Sequence, residues 1–426
     1  MKKAILSLIA LVLIAGGIAW ATLDRDLRQL LLNLPTNTDV LFWSTSQRDA
    51  AFRVMDRVPF LIESRIVPAG DHFLPLPAGE PLAIDLDITT YMEDQRTAAL
   101  VIVQDGKIRL EEYGLDFGPE GRWTSFSVAK SFTSTLVGAA IKDGYIDSID
   151  DKVSDYIPDL QGSAYDNVTI EQLLTMTSGV AWNEDYADPA SDVALFNTHK
   201  AEPGVDVTVS YMRQLGAEAE PGTVWSYKTG ETNLIGVLAS LATNRNLSEY
   251  LAEKIWQPFG MEQDATWLLS STGLEISGCC IQAATRDFAR FGLFILGGGI
   301  ANGEPVLPDG WLAEATSKQA DIGVPGHGYG YQWWTLDDGS FHARGIFGQG
   351  IFIDPERQLV IASNGNWPQA TDRQGGDHDK QRMAFYRQIQ LAIDRETEQS
   401  WGMVDSEAVL VTLSSHAVSI TGANAD

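Results

Sequence analysis

Hydrophobic positions along this chain follow two periods. Short β-rich runs flank a long middle region in which apolar residues recur at helical spacing. Residues 98–104 and 107–112 are β-rich runs around Asp105-Gly106, the signature of a hairpin. Residues 127–143 read as a helix: Val128, Phe132, Leu136 and Ala140 fall four apart on one face, and Gly144 stops it. The 150–299 region is mostly helical, with examples at 170–175, 233–243, 247–254 and 286–296. Strand signals return at 328–335, 340–345, 350–353 and 359–363. A last amphipathic helix, about 381–395, would turn Met383, Phe385, Ile389 and Ile393 inward.

Strands first, helices in the middle and strands last predict an α/β (α+β) fold. In it, one antiparallel sheet, flanked by helices, is closed from both chain ends around a large helical insertion. The implied organisation is a leader over 1–24 and an irregular, proline-rich extension over 25–90. A sheet domain follows from 91–149 with 300–396, then a mainly helical domain over 150–299 and a tail over 397–426. A cleft between the two lobes is where a site belongs.

The leader has a basic start, Lys2-Lys3, then an apolar run over 4–21 ending in Ala19-Trp20-Ala21, a secretory pattern. The run is nearly long enough to span a bilayer, so an uncleaved N-terminal membrane anchor is the alternative. Either route exports the protein, to the periplasm or to the outer side of the inner membrane. The formal charge of −27 becomes −29 without Lys2 and Lys3. A surface that acidic repels phosphate backbones and anionic lipid, which excludes nucleic acid as a partner. Cys279 and Cys280 are the only cysteines. Neighbouring cysteines rarely reach disulfide geometry, so they read as two small buried thiols. The six histidines form no metal-binding pattern, and neither metal nor cofactor is expected.

No G-x-S-x-G occurs, so a nucleophile-elbow hydrolase lacks its strongest marker. The chain does contain Ser127-Val128-Ala129-Lys130, its one S-x-x-K. At the first turn of a helix this puts Lys130 on the same face as Ser127, beside unpaired N–H groups and positive partial charge. A buried amine there lowers a neighbour's pKa or, deprotonated, acts as a base. Without further context the pair reads equally well as an N-cap serine and a surface lysine. Tyr227, in a polar turn that feeds a second helix, is a general base if a cation stabilises its phenolate and is otherwise a structural tyrosine.

Several segments then occur in a telling order: SFSVAKSF, LLTMTSG at 173–179, GTVWSYKTGETNLIG, ATRDFARFG at 284–292, GYGYQWW and GQGIFIDPERQLVI. Over about residues 40–395 the chain resembles the serine β-lactamase-like superfamily, on its class C and esterase side, and most of all the aminohexanoate-dimer (nylon-oligomer) hydrolases. The resemblance implies an acyl-enzyme on Ser127, activated by Lys130 and Tyr227, with the Tyr227 phenolate taking the Ser127 proton. It also implies an oxyanion hole from the Ser127 and Ile346 amides beside Gly345. Tyr186 in Trp182-Asn183-Glu184-Asp185-Tyr186 matches a lid tyrosine that contacts the substrate amide. Trp182, Trp225, Trp333 and Trp334 are candidates to line the acyl pocket.

Two departures narrow the substrate. Ala343 and Arg344 stand where Lys and Thr usually stand on the late strand, and Thr229 replaces the Asn of Tyr-x-Asn. Both losses remove groups that hold a β-lactam, with Arg344 as the one candidate replacement. The literal Lys228-Thr229-Gly230 lies at a helix start and is read as coincidence. The expected protein is an exported serine hydrolase of a small ester or linear amide. Its rivals are a D-amino-acid peptidase or β-lactamase of the same fold, and a non-catalytic binding module.

Overall fold

A computed structural model describes residues 2–37, 39–57 and 62–420. The Asp105-Gly106 turn has φ of +50° and +72°, the mirror-image turn whose twist matches that of paired strands. It joins β1 (Thr97–Gln104) to β2 (Lys107–Tyr113). Far along the chain follow β3 (His327–Tyr329), β4 (Trp334–Leu336), β5 (Phe341–Gly345), β6 (Gln349–Asp354) and β7 (Leu359–Gly365). Together they make one antiparallel sheet in the order β2-β1-β7-β6-β5-β4-β3. The strand expected over 328–335 is instead the hairpin β3-β4, because the chain reverses at Gln332, whose φ is +63°.

Four helices matter for the site: α1 (Ala129–Lys142), α2 (Thr229–Thr243), α3 (Thr285–Leu296) and α4 (His378–Ile420). Both faces of the sheet are covered, so its central strands read as unbroken apolar runs. Val101, Val103, Val360 and Ala362 face the main core with Phe288 and Phe291 of α3, while Leu100, Ile102 and Ile361 face Phe385, Ile389 and Ile393 of α4. This alternation is the period-two pattern of a strand expressed in packing. Phe132 of α1 stacks on Phe291 of α3, with centroids 3.5 Å apart, and so ties α1 to the helix that packs on the sheet. The α4 backbone does not stop near 395 as expected but continues to Ile420. No proline interrupts it. Of the expected tail, 421–426 lie outside the described residues.

A second, four-stranded sheet orders Ser64–Val67, Ala265–Leu268, Ile281–Ala283 and Trp123–Thr124. Two of these strands lead directly into site loops. The N-terminal extension is also anchored, through a capping box at Ser44 that starts the helix Thr45–Ala51. Arg48 on that helix is buried, donates to the carbonyls of Trp43, Trp367 and Pro368, and lies 4.3 Å over the Phe347 ring. Ahead of it, the apolar helix Lys2–Thr22 is long enough to cross a membrane, and its segment Ile5–Thr22 buries nothing against the rest of the chain.

Candidate active site

Ser127 occupies a tight turn, Phe126–Val128, between the strand Trp123–Thr124 and α1. Phe126 has φ +42°, a left-handed conformation that an L-residue adopts only under strain, and it presents the next residue to the cleft. Phe347, just after β5, has φ +61°. The two strained turns face each other across Phe52, whose ring centroid is 4.9 Å from Phe126 and 5.7 Å from Phe347, with Phe126 and Phe347 themselves 5.5 Å apart. An aromatic clamp therefore sets the spacing of the segments that carry Ser127 and Ile346. Gly345 completes it: a Cβ there would lie 2.6 Å from the Ser125 carbonyl oxygen, so a side chain would force the turns apart. Ser127 and Ile346 both line the same cleft, of about 810 Å³.

Lys130 follows one turn along and is buried. Its Nζ lies 2.7 Å from the Gly278 carbonyl oxygen, 3.1 Å from Thr229 Oγ1 and 3.4 Å from Ser127 Oγ. Burial lowers its pKa to about 7, against the nearby negative charge of Glu184, which favours the ammonium. The same Nζ sits 5.2 Å from the centre of the Tyr227 ring. Tyr227 stacks on Trp334 at 5.5 Å. Burial, and then Glu184, push the Tyr227 phenol up; hydrogen bonding with Ser127 and the charge of Arg344 act against this. At neutral pH the arrangement thus holds a neutral phenol and an amine near its titration point.

Three features were not read from the sequence. Glu184 is the polar hub of the loop over the site: it accepts hydrogen bonds from the Thr229 amide at 2.9 Å, from Tyr186 Oη at 2.8 Å, and from Thr229 Oγ1 and Trp182 Nε1. A carboxylate between two aromatics in an acidic chain carries no pattern that marks it. The backbone carbonyl of Gly278 is likewise invisible to residue type. Thirdly, Cys279 and Cys280 are joined to each other as a disulfide, contrary to the two thiols expected. Cys280 adopts φ +78°, in the left-handed region.

The other candidates separate. Trp182 and Tyr186 line the cleft beside Ser127. Trp333 is core, parallel to Phe291 with centroids 6.3 Å apart. Arg344 is not among the cleft-lining residues: its guanidinium pairs with Asp379 of α4 and lies 4.8 Å over the Trp334 ring. Lys228, from the literal Lys-Thr-Gly, is buried behind α2, with Nζ 3.3 Å from Ser178 Oγ and 3.7 Å from Glu231. It takes no place on the sheet.

Comparisons with known proteins bear on the family and the fold. Residues 84–383 match the beta-lactamase family. A curated 6-aminohexanoate-dimer hydrolase of Paenarthrobacter ureafaciens is 29% identical over 304 residues, 67% of this chain and 77% of that protein. A solved Bacillus anthracis structure, named a candidate 6-aminohexanoate-dimer hydrolase, superposes with a TM-score of 0.71 at 23% identity, covering 83% of this chain and 95% of that one. A family VIII carboxylesterase structure superposes with a TM-score of 0.52 at 18% identity, covering 74% and 98%. With most of its length matched and the sheet, helices and cleft in place, the chain belongs to the beta-lactamase family of serine hydrolases.

Proposed function

We propose that this protein is an exported hydrolase that cleaves a small ester or linear amide through an acyl-enzyme on Ser127. The observation that carries the reading is the placement of the Lys130 amine, buried and shared among Ser127 Oγ, Thr229 Oγ1 and the Gly278 carbonyl. As the neutral amine, Lys130 takes the Ser127 proton while Oγ attacks the carbonyl carbon. The N–H groups of Ser127 and Ile346 hold the oxyanion, each worth about 3 kcal/mol at comparable sites. Tyr227, its phenol kept protonated, donates to the leaving amine or alkoxide and is reprotonated from Lys130. Water then repeats the sequence on the acyl-enzyme. The base in this scheme is Lys130 rather than a Tyr227 phenolate, since burial penalises the phenolate and favours the neutral amine.

The resemblance to the aminohexanoate-dimer hydrolase supports a linear amide, and Tyr186 over the cleft supports a lid that contacts it. Arg344, committed to Asp379, leaves no free cation on the late strand for a β-lactam carboxylate. The N-terminal apolar helix supports export, as a leader or as an anchor. A fluorophosphonate probe tests the core claim: labelling is expected in the wild type and lost in Ser127→Ala. Label that survives this substitution, or never appears, sinks it. Parallel turnover of p-nitrophenyl esters, aminohexanoate dimer and nitrocefin sorts the substrate, with nitrocefin expected to be the poorest.

A further inference from the structure

The Cys279–Cys280 disulfide occupies a position that the reaction scheme leaves unused. Both residues line the cleft with Ser127, Cys279 half-buried and Cys280 7% exposed. The residue before the pair holds the Lys130 side chain, and the residue after it holds the turn that carries Ser127. Gly278 accepts from Lys130 Nζ at 2.7 Å. Ile281 donates to Ser125 Oγ at 3.0 Å and accepts from the Ser125 amide at 2.8 Å, which pins the turn that carries Ser127. Between these anchors the segment is fixed by the Cys279 carbonyl accepting from Trp267 Nε1 at 3.0 Å and by the Cys280 carbonyl accepting from the Leu268 amide at 3.1 Å. A bond between adjacent side chains closes a small ring over one peptide unit and restrains the dihedrals on both sides. It also replaces two weakly polar S–H groups by a compact, polarisable face with no donor.

We infer that the Cys279–Cys280 disulfide is a positioning and specificity element of the active site, holding the Gly278 carbonyl on Lys130 and giving the acyl chain of the substrate an apolar wall of two sulfurs. The inference rests on the Ser127 acyl-enzyme reading. It makes activity respond to thiol reductants. The thiolate of a dithiol attacks Cys279 Sγ, the more exposed sulfur; the S–S bond breaks and its electron pair leaves on Cys280 Sγ. The reagent's second thiolate then displaces Cys279 Sγ and closes the reagent's own disulfide. Two protons are taken up, leaving two protein thiols and an oxidised reagent.

The test compares three full-length preparations: protein purified without reductant, the same protein after dithiothreitol, and Cys279→Ala/Cys280→Ala. Intact mass and thiol titration define the redox state of each. The readouts are fluorophosphonate labelling of Ser127 and kcat/KM for p-nitrophenyl acetate through octanoate across pH. Reduction is expected to add two hydrogens and to lower kcat/KM by about tenfold or more, the scale of a misplaced catalytic group. The loss is expected to be greatest for the longer acyl chains. The limb that reports Lys130 moves to lower pH, because the ammonium loses a carbonyl partner. Reoxidation restores all three, and the double variant ignores dithiothreitol. Equal rates, chain preference and pH limb in the oxidised and reduced protein overturn the inference, as do two free thiols in fully active protein purified without reductant. Absence of Ser127 labelling in the oxidised protein refutes the hydrolase reading instead. Because reduction is applied to wild-type protein, the test does not depend on whether the double variant folds.

Discussion

Lys130 is an amine in a place that disfavours charge, and its kinetic behaviour follows from that. With a pKa of about 7, it is the free base above neutral pH, so kcat/KM for an ester rises with pH through a limb near 7. Glu184 stabilises the ammonium, and Glu184→Gln is therefore expected to move this limb to lower pH; a limb that stays put, or moves up, contradicts the assignment of the base. Gly345→Ala places a methyl 2.6 Å from the Ser125 carbonyl oxygen, and kcat/KM should fall by about a hundredfold as the two turns part. At this scale the sequence was informative wherever chemistry follows residue type and spacing. Ser127 and Lys130 lie one helical turn apart, and the structure puts Tyr227 against them. It was silent on Glu184, whose role comes from where a loop folds, and on Gly278, which acts through its backbone. For the cysteines, a general steric expectation of two free thiols gave the wrong answer.

Among the elements, the strands and helices that carry an unbroken apolar period were legible: the 98–112 hairpin, α1, α3 and the β6-β7 pair all form where periodicity put them. What periodicity does not encode is how one element leans on another. The clamp of Phe52, Phe126 and Phe347 joins an N-terminal extension, the nucleophile turn and the end of β5, segments far apart in sequence. Phe52→Ala is expected to cost about 3–5 kcal/mol in urea unfolding and, on the proposed scheme, to lower kcat more than it changes KM, since the clamp spaces the segments that carry Ser127 and Ile346. A similar argument applies where α2 meets the Gly278 segment. A Cβ on Gly236 would lie 2.0 Å from Ser277 Oγ, so Gly236→Ala should lower Tm and reproduce part of the low-pH shift that loosening Gly278 produces. Melting curves and pH–rate profiles of the same preparations check both.

Across the whole molecule, the order of strands, helices and strands was enough to give the sheet and its two covered faces, while the periodicity that marked α4 over 381–395 did not mark its continuation to Ile420. The apolar Lys2–Thr22 helix lies ahead of the folded unit and contributes nothing to its core. Removing residues 2–22 should leave kcat/KM unchanged and abolish flotation with lipid vesicles, whereas the uncut chain floats. A truncated protein that still floats would locate the membrane affinity elsewhere.

The topology of the sheet has a further consequence for the timing of activity. Strand β7 lies between β1 and β6, so a strand from near the C-terminal end is inserted beside the first strand of the sheet. A chain that emerges from a ribosome or a translocation pore delivers Ser127 and Lys130 long before it delivers Gly345 and Ile346. In the proposed scheme, until β5, β6 and β7 arrive and close onto β1, Ser127 has Lys130 beside it and no Ile346 amide opposite it. On that scheme the site is incomplete until the last strands pair, so closure of the sheet, late in synthesis, has to precede activity.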